Sequence, residues 1–305
     1  MVATTYATAR VQAGPAGISA LVLEGASCGI LRRVSGGAIV ADVVAEKVGP
    51  GHLATKHLGP LRYEEFELDV GFAMGKPVFD WITETWQMKY PRRKGSVLAC
   101  TEKLEAKGER KFFEALLTET TIPTLDGSAK EPAWLKLKFA PEMIEYVKAS
   151  GKASGPDPKH PEKLFLPANF QLDIQGVDCS RVHKIESFTV RQSVAQDGLG
   201  ERKHATLEPG TISFPNLRIT FAEVAVDSWL SWFDDFVVKG NCGADKEKSG
   251  TLTLLSPNKQ KLASIGLFNL GIFRLGSIDS EAAEDRLKLA RAELYCERME
   301  FKLGA

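Results

Sequence analysis

Apolar and polar residues alternate along much of this chain, the period-two signature of half-buried strands. Phe170, Leu172 and Ile174 alternate with Gln171, Asp173 and Gln175. Tyr63, Phe66, Leu68 and Val70 do the same in YEEFELDVG, as do Phe214, Leu217, Ile219 and Phe221 in FPNLRITFA. The period changes to helical spacing in two places. In KPVFDWITETWQMKY the stripe is Val78, Phe79, Ile82 and Trp86, with Pro77 suited to a first turn. In VDSWLSWFDDFVVKG it is Trp229, Trp232, Phe233 and Phe236, with Asp227 or Ser228 as cap and Gly240 as stop. EGAS and QGVD, centred on Gly25 and Gly176, predict tight turns after an opening strand. The tails are strand-rich, with hairpin turns expected at EAKGE and SPNKQ.

The pattern occurs twice. A shift of 151 residues lays Gly25 on Gly176, Cys28 on Cys179, Leu68 on Ile219 and Trp81 on Trp232. The shift drifts to 153–155 in the tails, where SVLACTEKLEAKGERKFFEALLTETTIP matches GTLTLLSPNKQKLASIGLFNLGIFRLG. A repeat this long predicts two copies of one domain and not a solenoid. Between them ASGKASGPDPKHPEKLFLP has linker composition. The expected boundaries are a first domain at 1–148, a linker at 149–163 and a second domain at 164–305. DVVAEKVGPGHLATKHLGP and RQSVAQDGLGERKHATLEPG fall at the same place in each copy and read as long loops, near 41–61 and 191–211. Loops of that length usually have a task, here a contact between subunits.

Charge narrows the partners. The 39 basic and 39 acidic side chains balance overall, and residues 1–150 hold 19 and 18 of them, leaving 20 and 21. That is not the footprint of a protein gripping nucleic acid by its phosphates, although a neutral wall past which DNA slides is compatible with it. No run of apolar residues is long enough for a membrane span, and the N-terminal segment has no export pattern, so synthesis and use without Sec export are expected. The five cysteines form no CxxC, and free buried thiols in a reducing cytoplasm are expected.

Catalytic constellations do not emerge, and the sequence supports no catalytic, cofactor-binding or metal-binding residue. No P-loop, GxGxxG, HExxH or GxSxG occurs in a fitting context. His52 and His57 are five apart in a Gly/Pro segment, and His183 and His204 flank the second long loop. Core or surface roles suit all four better than metal ligation. Cys28 and Cys179 occupy matched positions without a matched His, which favours core thiols over nucleophiles. Glu64–Glu65 and Asp234–Asp235 read as solvated charge.

The order strand, turn, strand, long segment, strand, Trp-bearing helix and strand-rich tail resembles the tail-tube domain family. That family includes the tube proteins of contractile phage tails and extracellular injection systems, and the haemolysin-coregulated tube protein. The resemblance rests on FQLDIQGVDCSRVHKIESF, WLSWFDDFVVKG and LKLARAELYCERMEF, echoed in the first copy by ILRRVSGG and VFDWITETW, while WLKLKFAPEMIEYVK departs further. It covers about 19–148 and 164–303. It implies a mainly β (α+β) fold: two tandem antiparallel β-sandwich or barrel domains, each with one flanking α-helix. It implies no enzyme and no cofactor. It implies a homo-oligomer with ring and ring-stacking contacts, sheath and baseplate or hub proteins as partners, and DNA or effector proteins passing transiently through the lumen. Synthesis in a bacterial cytoplasm and assembly into a virion tail or injection particle follow. The first reading is a tube subunit assembling into stacked rings around a central channel; the alternatives are a hub or tube-initiator built as a trimeric pseudo-six-fold ring and a soluble two-domain binding module. The sequence favours six chains per ring, because balanced charge suits a repeated tube wall, whereas three chains would suit the hub.

If no thiol or imidazole acts through chemistry, replacing Cys28, Cys179, His52 or His183 singly by Ala alters thermal stability at most. Assembly assays and melting curves check this, and a folded variant that abolishes a measurable turnover would refute it.

Overall fold

A computed structural model describes residues 17–47, 54–155, 163–197, 206–277 and 288–304, and most of them lie in antiparallel strands. The first copy contains β1 (Ile18–Leu23), β2 (Ala26–Leu31), β3 (Arg33–Gly36), β4 (Ile39–Lys47), β5 (Ala54–Tyr63) and β6 (Phe66–Val70). Helix α1 (Lys76–Trp86) follows, then β7 (Arg93–Cys100), β8 (Ala106–Ile122), β9 (Leu125–Asp126), β10 (Leu135–Ala140) and β11 (Met143–Val147). The second copy contains β12 (Phe170–Ile174), β13 (Val182–Ile185), β14 (Phe188–Asp197), β15 (Thr206–Ser213) and β16 (Leu217–Ala222). Helix α2 (Val226–Phe233) continues into a π-helical turn at Asp234–Val238, and β17 (Lys248–Leu255), β18 (Lys261–Ser277) and β19 (Leu289–Leu303) complete it.

The pairing order repeats. β1-β7-β8-β10-β6-β3 in the first copy answers to β12-β17-β18-β19-β16-β13 in the second. β10 and β11 together do the work of β19, interrupted where Pro141 lacks the N–H a ladder needs. Irregularities repeat as well. Bulges at Arg93/Gly95 and Ala99/Cys100 of β7 recur at Lys248/Gly250 and Leu254/Leu255 of β17. The skipped residue Thr118 of β8 answers to Phe273 of β18. Left-handed backbone at Leu104 and Glu114 recurs at Lys259 and Asn269. All of these pairs differ by 155 residues, so the drift seen in sequence is a constant step from β7 onward. Bulges re-aim a strand and persist because the fold needs the bend. Gly95 and Gly250 share one reason: a Cβ would lie 2.2 Å from Val22 O in one and 2.6 Å from Asp173 O in the other.

Each helix lies on its sheet through aromatic residues. Trp81 is buried against Phe139 and its indole N–H donates to Pro91 O at 3.3 Å. Trp229 stacks on Phe221 at 4.6 Å and donates to Asp178 O at 3.0 Å. Trp81 and Trp232 sit on corresponding helices, the core role expected of them. One continuous apolar cluster runs through both copies.

Several local expectations change. The segments near 41–61 and 191–211 are not loops but the hairpins β4–β5 and β14–β15; their Gly and Pro residues hid extended backbone whose partner is its own return strand. Their tips, with His52 and His204, lie outside the described residues. YEEFELDVG is broken after Tyr63, which ends β5, before β6 begins at Phe66. EAKGE is not a turn, because Leu104 takes the left-handed conformation and closes the chain at Thr101–Leu104. Neither Asp227 nor Ser228 caps α2, which starts from a 3-10 turn at Glu223–Ala225; the Ser228 hydroxyl accepts the Asp178 N–H at 2.9 Å instead. The linker's first residues are held, since Lys152 bridges to Glu105 and Ala153 is buried.

Truncating Trp81 to Ala leaves a cavity between α1 and its sheet and is expected to cost about 3–5 kcal/mol in urea unfolding.

Candidate assembly interface

The junction between the copies is built by a strand that outlasts its neighbour. β7 pairs with β8 only as far as Ala115, leaving the β8 backbone beyond it unpaired on that edge within the first copy. The second copy fills it. Phe188, Thr189, Val190 and Arg191 of β14 pair antiparallel with Ile122, Thr121, Thr120 and Glu119. The hydroxyls of Thr121 and Thr189 meet at 2.8 Å, and Arg191 Nε donates to Glu119 at 3.2 Å. A second crossing places β9 on the outer edge of β13, with Lys184 opposite Asp126 and Ile185 opposite Leu125. An unpaired buried backbone group costs about as much as a lost hydrogen bond, so this edge is a strong docking element.

Side chains close the rest of the seam. Phe301 of β19 stacks on Phe79 at 6.2 Å and meets Trp86 edge-on at 5.8 Å, both on α1. The Thr83 hydroxyl donates to Phe301 O at 3.3 Å. Arg92, just after α1, forks between the Glu142 carboxylate and Leu207 O of β15, and the Leu207 N–H donates to that same carboxylate at 2.8 Å. Arg92 and Glu142 are largely shielded, which strengthens charge-assisted bonds.

Residues considered for chemistry are dispersed. His57 is exposed on β5, 4.0 Å from Glu46. His183 lies 3.8 Å from Asp126, whose carboxyl is held below its usual range by the Ser128 hydroxyl and N–H. Burial raises the Cys28 thiol and pushes Cys179 and Cys296 up to about 11, keeping them protonated and poorly nucleophilic. Glu65 pairs with Lys138 at 2.6 Å, Asp234 with Lys239 at 2.6 Å, and Asp235 accepts from Asn241 at 2.8 Å. Among the described residues no group of three or more His, Cys, Asp or Glu side chains could hold a metal, and no helix is long and apolar enough to cross a membrane. The junction residues went unnoticed in sequence because Arg92, Glu142 and Glu119 are ordinary surface types; only their juxtaposition across the copies marks them.

No family model and no curated protein matches this chain. Solved structures similar to it include one titled as the sheath–tube complex of an extracellular contractile injection system in its extended state. It is 18% identical, covers 48% of this chain and 100% of that one, and has a TM-score of 0.39. Another, from the anti-feeding prophage baseplate, is 13% identical over 44% of this chain and 90% of that one, with a TM-score of 0.33. A third, the tube-terminating cap of the same prophage, is 13% identical over 44% and 88%, with a TM-score of 0.35. These neighbours are components of contractile tail-like particles.

Removing either partner of the Arg92–Glu142 pair leaves a shielded charge unmatched across the seam. Arg92→Met and Glu142→Gln should each destabilise the chain, and a double-mutant cycle in urea should return a coupling of about 0.5–3 kcal/mol. Additive effects would mean the fork contributes nothing.

Proposed function

We propose that this chain is a non-enzymatic structural subunit of a tail-like particle, contributing two tail-tube-like domains (1–148 and 164–305, joined by 149–163) to a ring around a channel. The observation that carries the proposal is the sheet that runs from one copy into the other through β8 and β14. Two like units joined by antiparallel strands occupy neighbouring positions of one layer. Repeating that step head to tail gives a heterologous contact that closes by rotation. The balanced charge suits a lumen wall past which DNA or effector proteins slide without sticking.

Sequence alone leaned towards six chains per ring. Side-by-side copies favour three, because each chain then supplies two of six positions, the arrangement of a hub or tube initiator. A tube wall of six chains is the second arrangement, in which layers alternate. Sheath and baseplate proteins are the partners this function would require, with assembly in a virion tail or injection particle.

Native mass measurement of the purified protein decides between them: three times 33.3 kDa is expected, six times that mass supports the tube wall, and a monomer at all concentrations refutes the ring. Negative-stain images should show an axial hole in the assembled species.

A further inference from the structure

The internal junction has a counterpart in the second copy that no strand fills among the described residues. A shift of 155 carries the docking edge Glu119–Ile122 of β8 to Arg274–Ser277 of β18. β17 pairs with β18 only between Lys261 and Leu270, so among the described residues no strand covers Arg274–Ser277 on that side. Phe273, beside it, is 42% exposed. A shift of 151 carries the docking strand Phe188–Arg191 to residues 37–40, at the start of β4. The β4–β5 hairpin pairs with no other strand among the described residues, whereas β14–β15 is joined to β8.

The helix side shows the same vacancy. The counterparts of Phe79 and Trp86 on α1 are Leu230 and Val237 on α2 and its continuation. Phe79 and Trp86 are 1% and 2% exposed beneath Phe301; Leu230 and Val237 are 52% and 41% exposed. The counterpart of Phe301 is Tyr146 of β11, itself 57% exposed. Charge also fits: Leu207 and Glu142, which meet in the internal junction, answer to Lys56 and Glu297, both exposed and of opposite sign.

We propose that chains join through a second version of the internal junction: residues 37–40 of one chain add antiparallel to Arg274–Ser277 of the next, while Tyr146 of the first covers Leu230 and Val237 of the second. The occupant of each vacant surface is therefore another copy of this chain. Both halves of the contact are present on every molecule, residues 37–40 in the first copy and Arg274–Ser277 in the second, so the contact propagates from chain to chain. In the single chain the Tyr146 hydroxyl donates to Gly37 O at 3.1 Å and accepts the Ile39 N–H at 3.3 Å; these two bonds are exchanged for the β18 edge on docking. Residues 280–281, where the counterpart of β9 falls, lie outside the described residues.

This inference rests on the ring reading, and a cross-link separates the two. The Thr121–Thr189 contact predicts that side chains at positions 38 and 276 face each other across chains. A Cβ at Gly276 meets open space, so Gly276→Cys is tolerated there. Cross-strand neighbours lie within the Cα range a disulfide accepts. Oxidised Ala38→Cys/Gly276→Cys protein should run as a covalent ladder ending at closed rings on non-reducing gels, while each single variant and the Ile39→Cys/Gly276→Cys register control should not. Leu230→Asp should melt like the wild type, because the residue is exposed in the single chain, yet lose the ring mass. A ring of normal mass with no ladder and an intact Leu230→Asp assembly would overturn this junction and leave the ring standing. A protein that stays monomeric with no ladder would overturn both.

Discussion

Everything in this structure depends on an unpaired length of backbone. β8 extends beyond the strand beside it, and its free N–H and C=O groups must find partners. The second copy supplies them from β14, and that choice sets the rest of the seam. It brings β19 over α1, so that Phe301 closes on Phe79 and Trp86, and it brings β15 within reach of Arg92. Apolar packing and charge-assisted bonds follow from strand addition, which is directional where hydrophobic contact alone is not.

The same backbone logic explains why the repeated features are irregular ones. Regular strand positions tolerate many residues, so the two copies diverged there. Bulges and left-handed positions are different, because they set where a strand bends and which way its end points. Thr118 and Phe273 share a bulge position although their side chains have nothing in common. In β8 the bulge comes just before Glu119–Ile122, the residues on which β14 adds, and in β18 it comes just before the corresponding Arg274–Ser277.

Divergence between the copies has a direction. Where the first copy meets the second, its helix is aromatic and its carboxylates are matched. Where the second copy would meet another chain, the corresponding residues are smaller and solvated: Leu230 and Val237 in place of Phe79 and Trp86. A contact that forms once within a chain is kept by tethering and can be dry and tight. A contact between chains must stay soluble until it forms, which limits exposed aromatic area.

The sequence by itself determined the two helices, the strands with clear alternation, the repeated pattern and the anchoring role of the tryptophans, because period, rare-residue spacing and aromatic stripes are local properties. Trp81 and Trp232 needed no coordinates to be read as core. It misjudged β4–β5 and β14–β15, where glycine, proline and polar residues look like loop, because β4–β5 pairs chiefly with itself and β14–β15 buries its apolar residues against the other copy, which a local pattern does not reveal. Only the tertiary structure decided that β14 pairs with β8, that Arg92 reaches Glu142 and Leu207, and that no strand among the described residues covers Arg274–Ser277 on the β17 side. Backbone hydrogen bonds are the same for every residue type, so the choice of partner for an edge is written in three-dimensional placement and not in side-chain identity.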